Sequence, residues 1–408
     1  MTLPLSETRN LRTGAVPWDQ DGWTLPPASP RARTRVDVAI LGSGIMGEIL
    51  AERLADGSRS VALFDRRPPG CGSTAASTAE VMWAMDVPLL HLGTKLGEAE
   101  AARRWRRVFA AVRELADRID ALGDCGERIE RPTLYLAGNV LGEAELAEEA
   151  ALHQRFGLPS AFLTAAEVSE RFGIAPRAAI LSDGGYEIDP VALCHALLWR
   201  AIGNGAALTY PADVVALHPT AGGVELECST GHRCVAAKVV LATGYERARL
   251  FLPPAFKLIS TFAIATPPGT APLWGENAMI WEAADPYLYV RTDIEGRIIA
   301  GGEDIETADE TRRDALIEPS AGRIAAKLEA LLNGRRVMID RAWGATFGFS
   351  PDGLPAIGPT SLMPDVCLAA GYGGNGIAFA ALAAQMLERS FSGEPDPDLG
   401  CFDPYRFT

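Results

Sequence analysis

The stretch Val36-Asp37-Val38-Ala39-Ile40-Leu41-Gly42-Ser43-Gly44-Ile45-Met46-Gly47 decides the fold. A run of β-forming residues ends on spaced glycines, and the apolar positions Ile49, Leu50 and Leu54 then recur at helical spacing. A second β-rich run, Ser60-Val61-Ala62-Leu63-Phe64-Asp65, completes a strand–helix–strand unit. Gly42 makes the tight turn, Gly44 lets the backbone approach a pyrophosphate, and Gly47 lets helix pack on strand. Ile45 and Met46 open the helix, whose N-terminus holds phosphate by its free N–H groups and positive dipole end. Asp65, at the end of the second strand, stands where an acid accepts hydrogen bonds from the adenosine ribose hydroxyls. The glycine spacing alone is weak evidence. With a strand before it, a helix after it and an acid in place, a ligand-free turn is the poorer reading. The motif predicts a dinucleotide and does not separate FAD from NAD.

Working outward, 408 residues exceed one ordinary core and favour two domains. With 48% hydrophobic and 22% charged residues, the chain has a soluble globular profile. A net charge of −14 repels phosphate backbones, which argues against a nucleic-acid partner. The seven cysteines form no C-x-x-C pair and are odd in number, so neither a disulfide scaffold nor a zinc ribbon is expected. The five histidines are equally scattered, and no metal site is expected. No apolar run reaches the roughly 18 residues that would span a bilayer. The polar, Pro-rich N-terminus lacks the apolar segment of a secretory leader. Residues 1–29 read as an arm over the surface, anchored by Trp18 and Trp23, and the cytoplasm is the default location.

Further along, 94–122, 142–156, 309–333 and 376–390 read as helices. Asp189-Pro190 starts another, with Asp189 as N-cap and Pro190 in the first turn. Strand patterns occupy 129–137, 212–217, 223–229, 239–244, 256–266, 278–282, 287–291, 296–300 and 366–370. The alternation of α/β with antiparallel β predicts two interleaved domains.

Other motifs sharpen the reading. Pro69-Gly70-Cys71-Gly72-Ser73-Thr74-Ala75-Ala76-Ser77-Thr78-Ala79 follows Asp65-Arg66-Arg67 closely. Val239-Val240-Leu241-Ala242-Thr243-Gly244 comes later, then Asp352-Gly353-Leu354-Pro355-Ala356-Ile357-Gly358 and Ala370-Gly371-Tyr372-Gly373-Gly374-Asn375-Gly376-Ile377. In this order and spacing, over about 36–390, they resemble the D-amino acid oxidase superfamily, the glycine oxidase and sarcosine oxidase group. The resemblance implies non-covalent FAD in a Rossmann-type domain (30–90, 175–250 and 345–408) interleaved with an antiparallel-sheet substrate domain (91–174 and 251–344). The class is α/β with α+β. It implies that Arg66 and Arg67 join Asp65 at the cofactor. Gly72, Ser73, Thr74, Ala76, Ser77 and Thr78 would wrap the pyrophosphate and ribityl chain. Val214 would meet the adenine through its backbone, and Ala242, Thr243 and Gly244 would line the adenosine. Gly371, Gly373, Gly374, Asn375, Gly376 and Ile377 would bring N–H groups and a helix N-terminus to the flavin's O2 end. That placement is physically apt, because a reduced flavin is negative near N1 and O2.

The family's usual reaction passes a hydride from a substrate C–H to flavin N5, so no dedicated acid or base is required. Tyr287, Tyr289 and Arg291 share one strand face and are candidates to meet the substrate, Arg291 by pairing with a carboxylate. Ordinary aromatic packing and a structural ion pair are the competing readings. Trp83 and Glu80 are candidates to face the flavin ring; Met82 and Trp83 read equally as core. Trp281, Trp343 and Phe347 are further aromatic candidates, and His91 reads as structural. Two departures stand out. Phe347 falls about where amino acid oxidases of this group place a carboxylate-binding Arg, and Gly374 replaces a second one. Those departures favour a larger or N-substituted amine over a free α-amino acid. The expected activity is oxidation of a C–N bond in a small amine or amino acid, by a monomer or homodimer. A flavin 2-hydroxy acid dehydrogenase and an FAD-binding protein without turnover are the alternatives; an NAD dehydrogenase would leave 371–377 unexplained.

Overall fold

The computed structural model describes residues 3–4, 9–18, 34–123, 128–246 and 252–407. Two sheets organise them. The first has nine strands. At its centre Arg35–Leu41 lies parallel to Arg233–Leu241 on one side and to Val61–Phe64 on the other. Val61–Phe64 in turn runs parallel to Ala207–Thr209. Arg233–Leu241 serves two neighbours along its length. Its first half pairs antiparallel with Gly223–Cys228, and its second half pairs parallel with Val366–Ala370. The central strands are buried on both faces, which is why they read as continuous apolar runs.

One face is covered by the helices Ile45–Leu54, Pro190–Gly203 and Gly376–Phe391. Gly376–Phe391 is apolar nearly all round, and its residues Ile377 to Leu387 are buried as that pattern requires. Asp189 caps Pro190–Gly203 as expected, accepting from the N–H groups of Val191 (2.8 Å) and Ala192 (2.9 Å). Glu98–Asp120 packs on the same layer. Its Ala101, Trp105, Val108, Val112, Leu115 and Ile119 form one buried stripe, and Arg107 bonds Gln385.

The second sheet has ten strands and is largely antiparallel. It runs from Arg12–Gly14 through Arg341–Phe349, Lys257–Ala265, Ile298–Ile305, Leu288–Thr292, Met279–Glu282, Ile129–Leu136 and Ala179–Glu187 to Glu80–Val81. Helix Ile317–Leu331 covers one face through Ile324, Leu328 and Leu331. The opposite face turns Thr261, Trp281, Tyr289 and Phe347 towards the first domain.

The architecture is the expected interleaving, with the chain crossing at different points. Ala179–Glu187 falls inside the expected 175–250 segment of the first domain, yet it follows its antiparallel partner Ile129–Leu136 into the second sheet. Glu80 pairs with Glu187 there, so Glu80–Val81 also belongs to the second sheet rather than to 30–90. Arg341–Phe349 pairs along its whole length with Lys257–Ala265 and carries the second sheet past 345. The N-terminal arm enters both sheets, as Leu3–Pro4 and Arg12–Gly14. Trp18 is buried and donates to the Ser77 carbonyl at 3.0 Å. Trp23 lies outside the described residues.

Candidate active site

A cavity of about 290 Å³ lies between the two sheets and receives side chains from both. At one end its walls are backbone. Gly42 sits at φ +113°, and a Cβ there would stand 2.3 Å from the Ala242 carbonyl oxygen. A Cβ on Gly47 would stand 1.9 Å from the Gly42 carbonyl oxygen, so this glycine fixes helix against strand and does not line the cavity. Gly44 precedes the helix, and a Cβ on it would meet Thr74 Oγ1 at 2.9 Å. The same hydroxyl accepts from the Ile45 N–H at 2.9 Å, which ties the Ser73–Ala76 turn to the helix start.

The Asp65 carboxylate is held by two backbone donors, Ser43 N–H at 2.7 Å and Arg67 N–H at 2.8 Å. Asp65 also lines the cavity. Arg66 and Arg67 line the same end, and both pair with Glu246. Gly72, Ser73, Thr74, Ala76, Ser77 and Thr78 line the cavity, as do Val214, Ala242, Thr243 and Gly244. Sequence reasoning missed Glu48. It is fully buried, accepts from the Ser43 hydroxyl, and burial pushes its carboxyl up to about 8.

The residues present fit FAD on two observations. The lining is continuous from Asp65 past Gly42–Ile45 and 72–78 to Gly373–Ile377. Ser73 Oγ, on that path, is buried without a hydrogen-bond partner, as a group awaiting a polar ligand would be. The terminal loop is partly used by the protein itself. Gly373 N–H donates to the Gly348 carbonyl at 2.8 Å, and Gly374 N–H donates to Asp86 at 3.0 Å. The N–H groups opening Gly376–Phe391 lack intrahelical acceptors by helix geometry and face the cavity beside Asn375. Gly371 lies outside the lining; at φ +69° it packs against Phe256, where a Cβ would stand 2.8 Å from the ring.

At the other end the walls are side chains: Glu80, Met82, Asp86, Thr261, Trp281, Tyr287, Tyr289, Phe347 and Tyr372. The Tyr289 ring lies over Gly301, its cross-strand partner, whose absent side chain leaves room for it. The Tyr287 hydroxyl donates to Asp304 Oδ2 at 2.8 Å. Trp281 stacks on Tyr135 at 3.8 Å between centroids. Asp86 accepts from Gly374 N–H and, at 2.9 Å, from Asn375 Nδ2. A Cβ on Gly373, at φ +55°, would stand 2.7 Å from Asp86 Oδ2, and one on Gly374 would stand 3.2 Å from Oδ1, so both glycines let the loop close on this carboxylate.

Arg291, expected at the substrate, and Trp83, expected at the flavin ring or in the core, are both structural. Arg291 is 1% exposed and does not line the cavity. Its guanidinium donates to the carbonyls of Thr78, Thr292 and Ile188 and stands over the Trp18 ring. Each of its three side-chain nitrogens is thus engaged by the protein, and none reaches a ligand carboxylate through the cavity wall. Trp83 also lies outside the lining; it donates to the Asp183 carbonyl at 2.7 Å and packs edge-on against Trp105 and Phe109. Trp343 is likewise buried, donating to the Ala76 carbonyl at 2.9 Å. Asp86 escaped sequence reading because Met85-Asp86-Val87-Pro88 carries no motif; only the fold brings it to the Gly374 loop.

This geometry defines a dinucleotide groove opening into an aromatic and acidic chamber, the arrangement of a flavin oxidoreductase. Residues 37–389 match the DAO family, FAD dependent oxidoreductase, and the chain belongs to that family. It is 24% identical to a glycine oxidase of Bacillus licheniformis, over 89% of this chain and 95% of that protein. It is 26% identical to the tRNA 5-methylaminomethyl-2-thiouridine biosynthesis bifunctional protein MnmC of Thiobacillus denitrificans, over 88% of this chain; the chain spans only 57% of that relative. Among solved structures, glycine oxidase from Geobacillus kaustophilus superposes with a TM-score of 0.75 at 20% identity, covering 92% of this chain and 100% of that one. L-proline dehydrogenase from P. horikoshii gives 0.77 at 20% identity, covering 92% and 98%. The family is one of FAD-dependent oxidoreductases, and the NAD reading of the first motif falls away. Among the described residues no helix is long and apolar enough to cross a membrane, and no group of three or more His, Cys, Asp or Glu is placed to hold a metal.

Proposed function

We propose that this enzyme oxidises a C–N bond of a small amine or amino acid. The observation that carries the proposal is the continuity of the cofactor groove with a chamber walled by Trp281, Tyr287, Tyr289, Phe347 and Tyr372. When bound, FAD supplies the two-electron acceptor for a substrate C–H hydride. The substrate C–N bond becomes C=N as the hydride leaves, the amine N–H proton goes to solvent, and water hydrolyses the imine.

The chain's own part is binding and orientation. Asp65 takes the ribose hydroxyls, the start of Ile45–Leu54 and Ser73, Thr74 and Thr78 take the pyrophosphate and ribityl chain, and the start of Gly376–Phe391 favours negative charge beside it. No residue tethers the cofactor covalently in this reading. The aromatic walls keep bulk water from the reacting carbon and hold the substrate against the cofactor. A 2-hydroxy acid is the weaker candidate, because it offers Glu80 and Asp86 no ammonium, and no Arg or Lys among the described lining residues at that end would meet its carboxylate.

The test is an absorbance spectrum of the purified protein before and after acid precipitation, followed by an anaerobic substrate screen. Flavin bands near ~370 and ~450 nm that pass into the supernatant are expected of non-covalent FAD, with bleaching by an amine. Bleaching by 2-hydroxy acids alone would overturn the C–N assignment, and no bleaching by either class would point to binding without turnover.

A further inference from the structure

The substrate end of the cavity carries carboxyl groups without a matching cation in its lining. Glu80 and Asp86 line it, and Asp304 stands directly behind Tyr287. Among the described lining residues, Arg66 and Arg67 are the only Arg or Lys side chains, and both pair with Glu246 at the far end. Arg291 lies behind Glu80 and tempers its charge, while its N–H groups are spent on three carbonyls. Asp86 is held only by the neutral donors Gly374 N–H and Asn375 Nδ2. Glu80 Oε1 is buried with no hydrogen-bond partner.

Glu80 and Asp304 are largely withdrawn from water while Asp86 keeps an exposed face on the cavity, and a carboxylate that gives up water needs a proton or a cation. Burial pushes Asp304 up to about 6 and Glu80 up to about 8, and the charge on Asp86 adds to the rise at Asp304. The aromatic faces of Trp281, Tyr289 and Phe347 surround the same space. Such faces favour an organic cation over an anion.

We propose that the substrate is a cationic amine without a carboxylate, its second ammonium entering the space that Asp86, Glu80 and the aromatic walls line, rather than an α-amino acid. This rests on the amine-oxidising reading above and names its substrate class.

The holoenzyme is titrated anaerobically with cadaverine, n-pentylamine and δ-aminovalerate, which share one chain length and differ in the end group. Binding is read from perturbation of the flavin spectrum and of tryptophan fluorescence, independently of turnover. Cadaverine is expected to bind at least about tenfold more tightly than δ-aminovalerate, with n-pentylamine between them. Asp86→Asn should erase most of the preference for cadaverine over n-pentylamine. Glu80→Gln, which leaves the Gly374 loop untouched, should reduce it. Where neither variant retains flavin, the order measured on the unaltered enzyme decides. The proposal is overturned if δ-aminovalerate or sarcosine binds as tightly as cadaverine, or if both variants keep the full preference. If the expected order holds and no amine bleaches the flavin, cation recognition stands and C–N oxidation falls. If amines bleach and the order is reversed, the opposite follows.

Discussion

At the Asp65 end the cavity is walled by backbone, and at the Trp281 end by side chains. Gly42, Gly44 and the N–H groups of Ser43 and Arg67 shape the first end through atoms every residue owns. They can do so only because particular positions lack a Cβ. The second end draws Glu80, Asp86, Thr261, Trp281, Tyr289 and Phe347 from separate strands and turns of the chain. Its shape depends on sheet pairing, and its chemistry on which side chains that pairing brings together. The comparison teaches that cofactor binding and substrate choice sit on different kinds of structure and should respond to different perturbations.

The largest expected effect is at the backbone end. Gly47→Val places a branched side chain where even a Cβ lies 1.9 Å from the Gly42 carbonyl oxygen. No rotamer relieves a clash with backbone. Flavin-bearing protein should be lost, read as the ratio of flavin to protein absorbance after purification. Normal flavin content in this variant would refute the packing role.

Arg291→Met comes next and asks whether the side-chain end has been divided correctly into support and contact. Three carbonyls lose their donor, and Glu187, 3.9 Å away, loses a cation. A cost of about 3 kcal/mol or more in denaturant unfolding is expected, with KM for an amine changed less than twofold in whatever enzyme still folds. A large KM rise with intact stability would return Arg291 to the substrate.

How much was legible in the sequence follows the same division. The glycine turn, Asp65, the 72–78 loop, Val214, 242–244 and 373–377 are local signals, because a tight turn or close backbone approach leaves its mark on a few adjacent residues. The structure brings them to one cavity, apart from Gly47 and Gly371, whose missing Cβ serves packing instead. Alternation placed Tyr287 and Tyr289 on one face correctly, but it put Arg291 on that face too and could not show that the Thr78 and Ile188 carbonyls meet it first. Asp86 had no local signal at all. Its role comes from a turn after Glu80–Val81 meeting a loop nearly three hundred positions later in the chain, where Gly374 leaves room for it.

Asp65→Asn tests the backbone end more gently. The amide keeps an acceptor for one of the Ser43 and Arg67 N–H groups, sets its NH2 against the other, and gives up the charge that would meet the ribose hydroxyls. A charge-assisted hydrogen bond contributes about 1.5–3 kcal/mol, so FAD affinity should fall by roughly ten- to a hundredfold, measured by quenching of FAD fluorescence on titration with apoprotein. The amine preference of any enzyme that remains loaded should not move, since Asp65 and Asp86 sit at opposite ends. A changed preference would mean that the two ends are not independent.

The smallest effect is a slope. Burial raises the carboxyls of Glu80 and Glu48 from the ordinary 4.5 to about 8, one at each end of the cavity. Arg291 lowers Glu80 and Glu187 raises it; the Ser43 hydroxyl lowers Glu48 and Asp65 raises it. A group whose folded pKa exceeds its unfolded value binds its proton more tightly in the folded chain. Its contribution is therefore whole below the unfolded pKa, is lost as pH rises through the window from 4.5 to about 8, and is flat above it. Glu80→Gln and Glu48→Gln should each flatten the decline of Tm across that window, by about two to four degrees, and the double variant by the sum, because the sites share no partner. Glu48→Gln should do so with or without a cationic amine present. Glu80→Gln should do so only without it, because a bound ammonium would hold Glu80 ionised and remove the Glu80 share of the slope in the unaltered enzyme. If amine leaves the slope of the unaltered enzyme unchanged, Glu80 is a buried structural acid like Glu48, and the contrast between the two ends weakens to one of geometry alone.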